Sequence, residues 1–595
     1  MNQDTNISNF LPTSKKEMDA LGWEQPDIIL FTGDAYIDHP SFGAAVVARV
    51  LEKQGFNVAI VPQPNWRDDL RDFKKLGTPR LFFAVTSGCM DSMVNHYTAN
   101  KRLRSDDAYT AGGKSGNRPD YAVSTYSKIL RSIFPDTPIV IGGVEASLRR
   151  FAHYDYWADK LLPSIMVSSD ADLLVYGMGE KSIVEIAQKL DEGYLIKDVI
   201  HVPQTARLIG KSIYESKKEH IKLNHFDDCL KSPQKFGENF KVIEEESNKI
   251  NPSLIIEPYN NSLLVVNPPY APSSTKEMDS WWDLPYMRAP HPRYKGKVIP
   301  AWEMIKFSVN IHRGCFGGCS FCTISAHQGK FISSRSPDSI INEVNKIIDS
   351  PDFKGYLSDL GGPSANMYMM QGKDIKLCEK CKKPSCIYPK ICSNLNTSHK
   401  PLLDLYRKVR EIKGIKKVTI GSGLRYDLFA NQSDATNREY LEELFVHHVS
   451  GRLKVAPEHT EESVLKLMRK PNFKLFLELK AKFDIFNRKY SKKQQLIPYF
   501  ISSHPGCTND NMRELTKKVE KIGLHIEQVQ DFTPTPMTLA STIFYTGTDP
   551  YSGKSIFVER TKEGKIKQRE HFFWYKKPKD FQKRTNRRHP IKRRK

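Results

Sequence analysis

Residues 307–325 read FSVNIHRGCFGGCSFCTIS and place Cys315, Cys319 and Cys322 in a C-x3-C-x2-C pattern. Three thiolates this close in the chain can converge on one soft metal centre. Three is one fewer than a closed tetrahedral zinc site or a fully protein-ligated iron–sulfur cluster uses. The pattern therefore predicts a metal centre with one open coordination position. A partial zinc knuckle or a chance grouping of cysteines is the alternative.

A short strand precedes these cysteines. Residues 305–311 mix apolar and β-branched side chains, as a short buried strand does. The cysteines then lie on the loop that leaves the carboxyl end of this strand, which is the catalytic end in (β/α) barrels. We therefore expect a barrel that carries the metal centre at its rim.

With the aromatic Phe321 directly before the last cysteine, the motif resembles the signature of radical S-adenosylmethionine (SAM) enzymes. The resemblance implies a [4Fe-4S] cluster on the three cysteines, SAM bound at the open iron, and Phe321 near the adenine. It also implies an electron donor such as a flavodoxin or ferredoxin, and cleavage of SAM to methionine and a 5′-deoxyadenosyl radical. Gly314, Gly317 and Gly318 suit such a loop, because glycine permits positive φ and close backbone approach.

Later strand ends also carry polar or glycine residues. Gly361 and Gly362 stand where the resemblance implies backbone contact with SAM, although Pro363 replaces the acidic residue of that motif. Ser422 and Gly423 follow at the next strand end as further SAM-binding candidates. Three more strand ends supply candidates for positioning the substrate, namely Glu458, His459, His504 and Gln530.

The sequences around these strand ends, SGLRYDL, LKVAPEHT, PYFISSHPGC and QVQDFTPTPMTLASTI, resemble the YgiQ-type radical SAM proteins over nearly the whole chain. The resemblance implies a radical SAM enzyme acting on an unknown substrate. The alternative from another class is a non-catalytic RNA- or ribosome-binding metalloprotein with a zinc knuckle and a basic tail.

A second cysteine group has the spacing C-x2-C-x4-C-x5-C. Four thiolates complete a metal site without other ligands, and the surrounding lysines favour the thiolate form. A structural zinc knuckle, an auxiliary iron–sulfur cluster and a metal-free segment all remain open. The four residues are Cys378, Cys381, Cys386 and Cys392.

The N-terminal region alternates continuous apolar runs with helical patterns, which predicts a parallel sheet covered on both faces. It resembles the cobalamin-binding-type Rossmann domain, with glycines at 142–143 and 177–179 at strand ends. The D-x-H-x-x-G pattern of that family is not reproduced around Asp34, Asp38 and His39, so we predict the fold without cobalamin and His39 as a turn-capping residue. A polar stretch from His96 to Asp120 is long enough to reach across the barrel if it is functional.

The predicted fold class is α/β, with a Rossmann-like doubly wound parallel sheet followed by a radical SAM partial (β/α)6 TIM-type barrel. A segment at 281–293 rich in Trp, Tyr, Arg and Pro predicts either a substrate or RNA platform or interdomain packing. The expected regions are 1–205 for the Rossmann-like domain, 206–300 for an irregular connection, 301–575 for the barrel with a Cys-rich insertion at 376–393, and 576–595 for a basic, disordered tail.

Composition narrows the class of protein further. No apolar run reaches the roughly 18 residues of a membrane span and no leader pattern opens the chain, so we expect a cytoplasmic protein without membrane contact. Seven of the ten cysteines fall in the two groups, which favours metal binding over disulfides. The formal charge is +22; residues 576–595 hold eleven Lys or Arg against Asp580, a net +10, which leaves +12 for the rest. That tail is either solvated or a contact for RNA or the ribosome.

Overall fold

The computed structural model describes residues 9–211, 220–429, 435–524 and 526–575. The predicted basic tail lies outside these residues. Within them the chain forms a large N-terminal sheet with helices on both faces and, from residue 308, a series of short parallel strands alternating with helices.

The N-terminal sheet has nine strands. Five neighbouring strands are parallel to one another and are fully or largely buried, because they are continuous apolar runs such as Ile28–Thr32 and Val58–Pro62. These strands confirm the predicted Rossmann-like half of the fold class. In spatial order the nine strands are His220–Lys222, Leu254–Pro258, Ser262–Val266, Thr205–Gly210, Leu173–Val175, Ile139–Gly142, Phe82–Thr86, Ile28–Thr32 and Val58–Pro62.

The region 206–300 is more regular than its sequence predicts. Thr205–Gly210 and Ser262–Val266 pair antiparallel, and Leu254–Pro258 pairs antiparallel with Ser262–Val266, so the region extends the first sheet. The expectation of an irregular connection therefore differs from the structure. The regularity is hard to read from the sequence because these antiparallel pairs adjoin a parallel pair, His220–Lys222 with Leu254–Pro258, and no single alternation runs through the region.

Six strand positions form the barrel half. Neighbours in this series pair parallel in chain order, and the third and fourth positions are linked by a bridge between Leu424 and Val455. This arrangement confirms the predicted partial (β/α)6 barrel. The strands are Ser308–Asn310, Tyr356–Leu357 with Asp359–Gly361, Lys417–Val418, Arg452–Glu458, Gln495–Ser502 and Gln528–Asp531.

Helices cover both halves. Pro337–Ile348 begins after Ser336, whose side chain accepts a hydrogen bond from the Ser339 amide at 3.1 Å. Among the described helices, none is both long and apolar enough to cross a bilayer. The other longer helices are Gly43–Lys53, Ala122–Ile133, Glu180–Asp191, Pro233–Ser247, Thr275–Trp282, Lys400–Glu411, Ala435–Glu443, Phe473–Lys489, Asn509–Lys521, Leu539–Thr546 and Lys562–Glu570.

The aromatic segment at 281–293 packs the two halves together. Trp282 is buried, and the guanidinium of Arg313, next to the cysteine loop, lies 4.4 Å from its ring centre. Arg288 forms an ion pair with Glu343 on the barrel helix Pro337–Ile348. The structure therefore favours interdomain packing over an open RNA platform for this segment.

Candidate functional site

The three cysteines of the 315–322 loop lie at the carboxyl end of the first barrel strand, where the sequence predicts them. The Cys315 sulfur lies 3.6 Å from the Ser364 hydroxyl and accepts the Gly317 amide at 3.4 Å. The Cys319 sulfur accepts a hydrogen bond from Nη1 of Arg425 at 3.4 Å. Residues from two later strand ends thus reach the cysteines of the first.

The thiols share one electrostatic environment. Burial raises the pKa of Cys315, which Cys319 raises further and Arg425 lowers. Burial, followed by the charges of Cys319 and Cys315, raises the pKa of Cys322 to about 12. A bound cation would reverse these shifts, because it stabilises thiolates.

The cysteine loop is a candidate site for an iron–sulfur cluster. In the described part of the chain, no three or more His, Cys, Asp or Glu side chains have the arrangement of an assembled metal site. The donor chemistry nevertheless fits, because three thiols lie close enough for Cys319 and Cys315 to raise the pKa of Cys322, and a cationic side chain contacts the Cys319 sulfur. The metal-ligand assignment of Cys315, Cys319 and Cys322 stays a prediction.

Arg425 forms a buried ion pair beside the cysteine loop. Its Nε and Nη2 donate to the Asp427 carboxylate at 3.1 and 2.6 Å. Burial alone would lower the pKa of Arg425, but Asp427 outweighs it and holds that pKa well above its usual value. A fixed cation therefore faces the sulfur of Cys319.

The predicted SAM-binding residues lie together at the neighbouring strand ends. The carboxylate of Asp359 accepts the amides of Gly421 and Ser422 at 2.9 and 3.2 Å and also the Ser422 hydroxyl. The carbonyl of Gly423 accepts the Ala365 amide at 2.9 Å. These bonds join the 361–364 and 421–423 turns, and Ser364 connects them to Cys315.

His312 is a site residue that sequence reasoning missed. A Cβ at Gly362 would overlap its ring, so the glycine permits the contact. The ring is fully buried, and the backbone of Ser364, the residue that contacts Cys315, is its hydrogen-bonding neighbour. Burial lowers the pKa of His312 to about 3, so the ring is neutral. Its position three residues before Cys315 was the available signal.

The four candidates for positioning the substrate have different environments in the structure. Gln530 lines a large cavity, whereas His459 turns its Nε2 toward the Cys507 sulfur at 3.5 Å. His504 supports the cysteine loop, since its Nε2 lies 3.2 Å from the Ser320 hydroxyl. Glu458 is buried near the cysteine loop, 3.8 Å from Nζ of Lys470.

The large cavity, of about 820 Å3, lies between the carboxyl edge of the N-terminal sheet and the barrel rim. Phe321 of the cysteine loop lines it, together with Gln530 and Asp531 from the last barrel strand. The 96–120 stretch reaches this rim as its length permits, because the Asn100 amide lies 3.3 Å from the Asp531 carboxylate. The cavity therefore joins the cysteine loop to both halves of the molecule.

The second cysteine group surrounds a smaller cavity of about 70 Å3, lined by Cys378, Cys386 and Cys392. Nζ of the buried Lys330, which sequence reasoning missed, lies 3.7 Å from the Cys381 sulfur. Burial raises the pKa of Cys386 to about 11, while Lys330 lowers it. The four thiols and one buried cation thus form a compact group.

His39 lies outside both cavities and caps its turn, as the sequence predicts. Its Nδ1 accepts the Ser41 amide at 3.0 Å, and burial lowers its pKa well below the usual value.

Comparisons with known proteins agree with these motifs. A family model described as "Radical SAM N-terminal" matches residues 10–308, and one described as "Domain of unknown function (DUF3362)" matches residues 527–584. A UPF0313 protein of Bacteroides thetaiotaomicron is 58% identical over 586 residues, covering 96% of this chain and 94% of the relative. A UPF0313 protein of Methanosarcina acetivorans is 44% identical, covering 94% of this chain and 78% of the relative.

The chain belongs to the UPF0313 family. UPF0313 is the YgiQ family of radical SAM proteins, which confirms the resemblance found in the sequence.

The UPF0313 chain is also similar to solved structures of TsrM, a radical SAM methyltransferase from Kitasatospora setae. The structure with tryptophan and aza-SAM has a TM-score of 0.46 at 14% identity, covering 86% of this chain and 75% of that one. The structure with cobalamin and a [4Fe-4S] cluster has a TM-score of 0.47 at 14% identity, covering 87% of this chain and 77% of that one.

The DUF3362 match contains a group of charged residues that meet near the large cavity. Asp531 accepts the Ser502 hydroxyl at 2.7 Å and lies 3.4 Å from Arg569. The buried Lys565 donates to the Tyr156 hydroxyl at 2.8 Å, and burial, with Lys101, lowers its pKa to about 8. In this UPF0313 protein the C-terminal helix Lys562–Glu570 therefore places charges beside the cavity.

Proposed function

We propose that this protein is a radical SAM enzyme in which Cys315, Cys319 and Cys322 hold a [4Fe-4S] cluster. The observation that carries the proposal is the placement of the three thiols at the first strand end, linked through Ser364 and Arg425 to the next two strand ends. When bound, such a cluster supplies the electron that cleaves SAM to methionine and a 5′-deoxyadenosyl radical. The chain's own residues bind and orient SAM and shelter the radical from water.

The SAM-binding residues follow from the same rim. Gly361, Gly362, Ser422 and Gly423 present backbone groups at two joined turns, and Phe321 lies between the cysteine loop and the cavity. In this assignment Arg425 keeps the sulfur of Cys319 beside a positive charge, which favours the thiolate that a metal needs.

The unknown substrate occupies the cavity between the two halves in this proposal. The size of the cavity supports a small molecule or one residue of a larger one. Gln530, Asp531 and Arg569 offer it polar contacts, and Phe321 connects it to the cysteine loop. His504 acts as a positioning residue through Ser320, and Glu458 lies close enough to Cys322 for its charge to raise the pKa of that thiol.

The second cysteine group is proposed as a separate metal site. Four thiols within the 376–393 insertion suit a structural zinc ion or an auxiliary iron–sulfur cluster. The alternative function is RNA or ribosome binding without catalysis, and the basic tail is the feature that supports it. The aromatic segment does not support it, because its side chains pack between the two halves.

The test is anaerobic reconstitution with iron and sulfide, reduction with dithionite, and addition of SAM. The wild-type protein is expected to be brown and to form methionine and 5′-deoxyadenosine. Cys315→Ala is expected to lose at least a thousandfold in rate together with the visible absorption, whereas Cys229→Ala, a buried cysteine of the N-terminal half, retains both. SAM cleavage by Cys315→Ala at the wild-type rate would contradict the mechanism.

Metal analysis of the same wild-type preparation identifies the second site. One zinc per chain indicates a zinc knuckle, and iron in excess of a single four-iron cluster indicates an auxiliary cluster.

A further inference from the structure

The 373–393 segment carries a cluster of exposed lysines, here called the lysine surface. Only Asp374 and Glu379 oppose them within the segment. Among the described residues, Lys382 is the one member with an ion pair, to Glu245 at 3.2 Å. The members of the lysine surface are Lys373, Lys376, Lys380, Lys382, Lys383 and Lys390.

Two apolar side chains lie within the lysine surface. Leu377 is 65% exposed and Ile375 is 48% exposed, and both adjoin Lys376 on or beside the short helix Lys376–Glu379. An apolar centre with a charged rim is the composition of a protein–protein contact.

The lysine surface connects directly to the cysteine loop of the barrel. The Cys386 amide donates to the Phe316 carbonyl at 3.0 Å, and a Cβ at Gly318 would overlap the carbonyl oxygen of Pro384. Phe316 is buried and lines the small cavity with Cys378. One side of the cysteine loop therefore packs against the insertion. The other side, at Phe321, faces the large cavity.

From this arrangement we infer that the lysine surface is the docking site for an acidic one-electron carrier protein. The inference rests on the proposed function, which needs one electron for each SAM cleaved. The reduced flavin or iron–sulfur centre of the carrier loses one electron and the metal centre on the cysteine loop gains it, with no bond made or broken. Entry through the insertion leaves the cavity flank free for substrate.

The composition of the surface favours an acidic protein over RNA. The 373–393 segment contains no Arg and only one aromatic residue, the partly buried Tyr388. Surfaces that bind RNA combine their positive charge with Arg and exposed aromatic rings on which bases stack. The exposed Leu377 and Ile375 instead suit an apolar patch on a protein partner.

The experiment titrates the full-length protein with oxidised flavodoxin, a small acidic flavoprotein, and measures the dissociation constant at low and at physiological salt. Lys376→Glu/Lys380→Glu/Lys390→Glu is expected to weaken binding at least tenfold and to flatten its salt dependence. The matched control, Lys474→Glu/Lys521→Glu/Lys562→Glu, makes the same charge change at exposed positions of three other helices and is expected to change binding less than twofold.

A kinetic experiment tests this inference independently of the proposed function. In the lysine-surface variant, SAM cleavage driven by reduced flavodoxin is expected to show a raised KM for flavodoxin, whereas cleavage driven by dithionite keeps the wild-type rate. Equal flavodoxin affinity in both variants overturns the docking site. Loss of binding to a single-stranded RNA probe with flavodoxin binding intact assigns the surface to RNA instead. Absence of dithionite-driven cleavage in the wild type overturns the proposed function alone.

Discussion

The cysteines of the 315–322 loop lie among buried charges, whereas those of the 376–393 insertion lie beneath exposed lysines. The loop sulfurs contact Ser364 and Arg425, which come from two other strand ends of the barrel. The insertion sulfurs contact Lys330 and Asn394, and the lysines around them are open to water. The two groups of cysteines have the same donor atom, but different contacts hold their sulfur atoms in place.

This difference indicates how each site is held. The barrel sheet positions the loop through hydrogen bonds to strand ends, so its geometry depends on the whole fold. The insertion has one four-residue helix, and its structure depends on its own thiols and on contacts with Phe316. A metal would therefore stabilise the insertion more than the loop, as it does in other small segments with little core.

The largest loss of stability is expected from a substitution that breaks the buried ion pair beside the cysteine loop. Arg425→Met leaves the Asp427 carboxylate buried without its partner, which is expected to cost about 3 kcal/mol of unfolding free energy. Urea unfolding of the metal-free protein measures the loss. The double variant Arg425→Met/Asp427→Asn is expected to recover part of it, because no uncompensated charge remains. Equal stability of Arg425→Met and wild type would show that the pair contributes nothing to the loop.

A smaller loss of stability is expected from a substitution at the contact between the cysteine loop and the insertion. Gly318 has φ +61° and no room for a Cβ beside Pro384, so Gly318→Ala is expected to cost about 2 to 3 kcal/mol. Gly423→Ala is the matched control, because no atom lies within 4 Å of a Cβ built there. Thermal unfolding compares the two. If both variants melt together with wild type, the insertion does not pack on the loop as described.

The sequence was sufficient for the parts of the fold that repeat a local pattern. The apolar runs predicted the parallel strands, and the run at 305–311 located the cysteine loop at a strand end. The edge at 205–266 was expected to be irregular, because it mixes antiparallel pairs with one parallel pair and so shows no single repeating pattern.

Side-chain environments were harder to predict than strand positions. His459 follows a strand end, as a substrate-binding residue does, yet its ring faces Cys507. Lys565 lies in the helix KEGKIKQRE, whose composition is that of an exposed helix. Its burial comes from Tyr156 and Phe544, which are distant in sequence, so no local pattern signals it.

The smallest expected effect concerns Lys565, on the cavity side of the loop. The pKa of this lysine is about 8 in the folded protein, below its ordinary value of about 10.4 in an unfolded chain. Between these two values the unfolded chain binds more protons, so the unfolding free energy rises with pH, by about 1 to 2 kcal/mol from pH 7.5 to 9.5.

Lys565→Met removes this titration, and its unfolding free energy is expected to lack that part of the rise. Lys562→Met, an exposed lysine one turn earlier in the same helix, is expected to follow the wild type. Urea unfolding at the two pH values measures both variants. Parallel pH profiles for wild type and Lys565→Met would mean that Lys565 is solvated in the folded protein. The charges beside the cavity would then be as open to water as the lysines of the insertion, and the contrast between the two flanks of the loop would be lost.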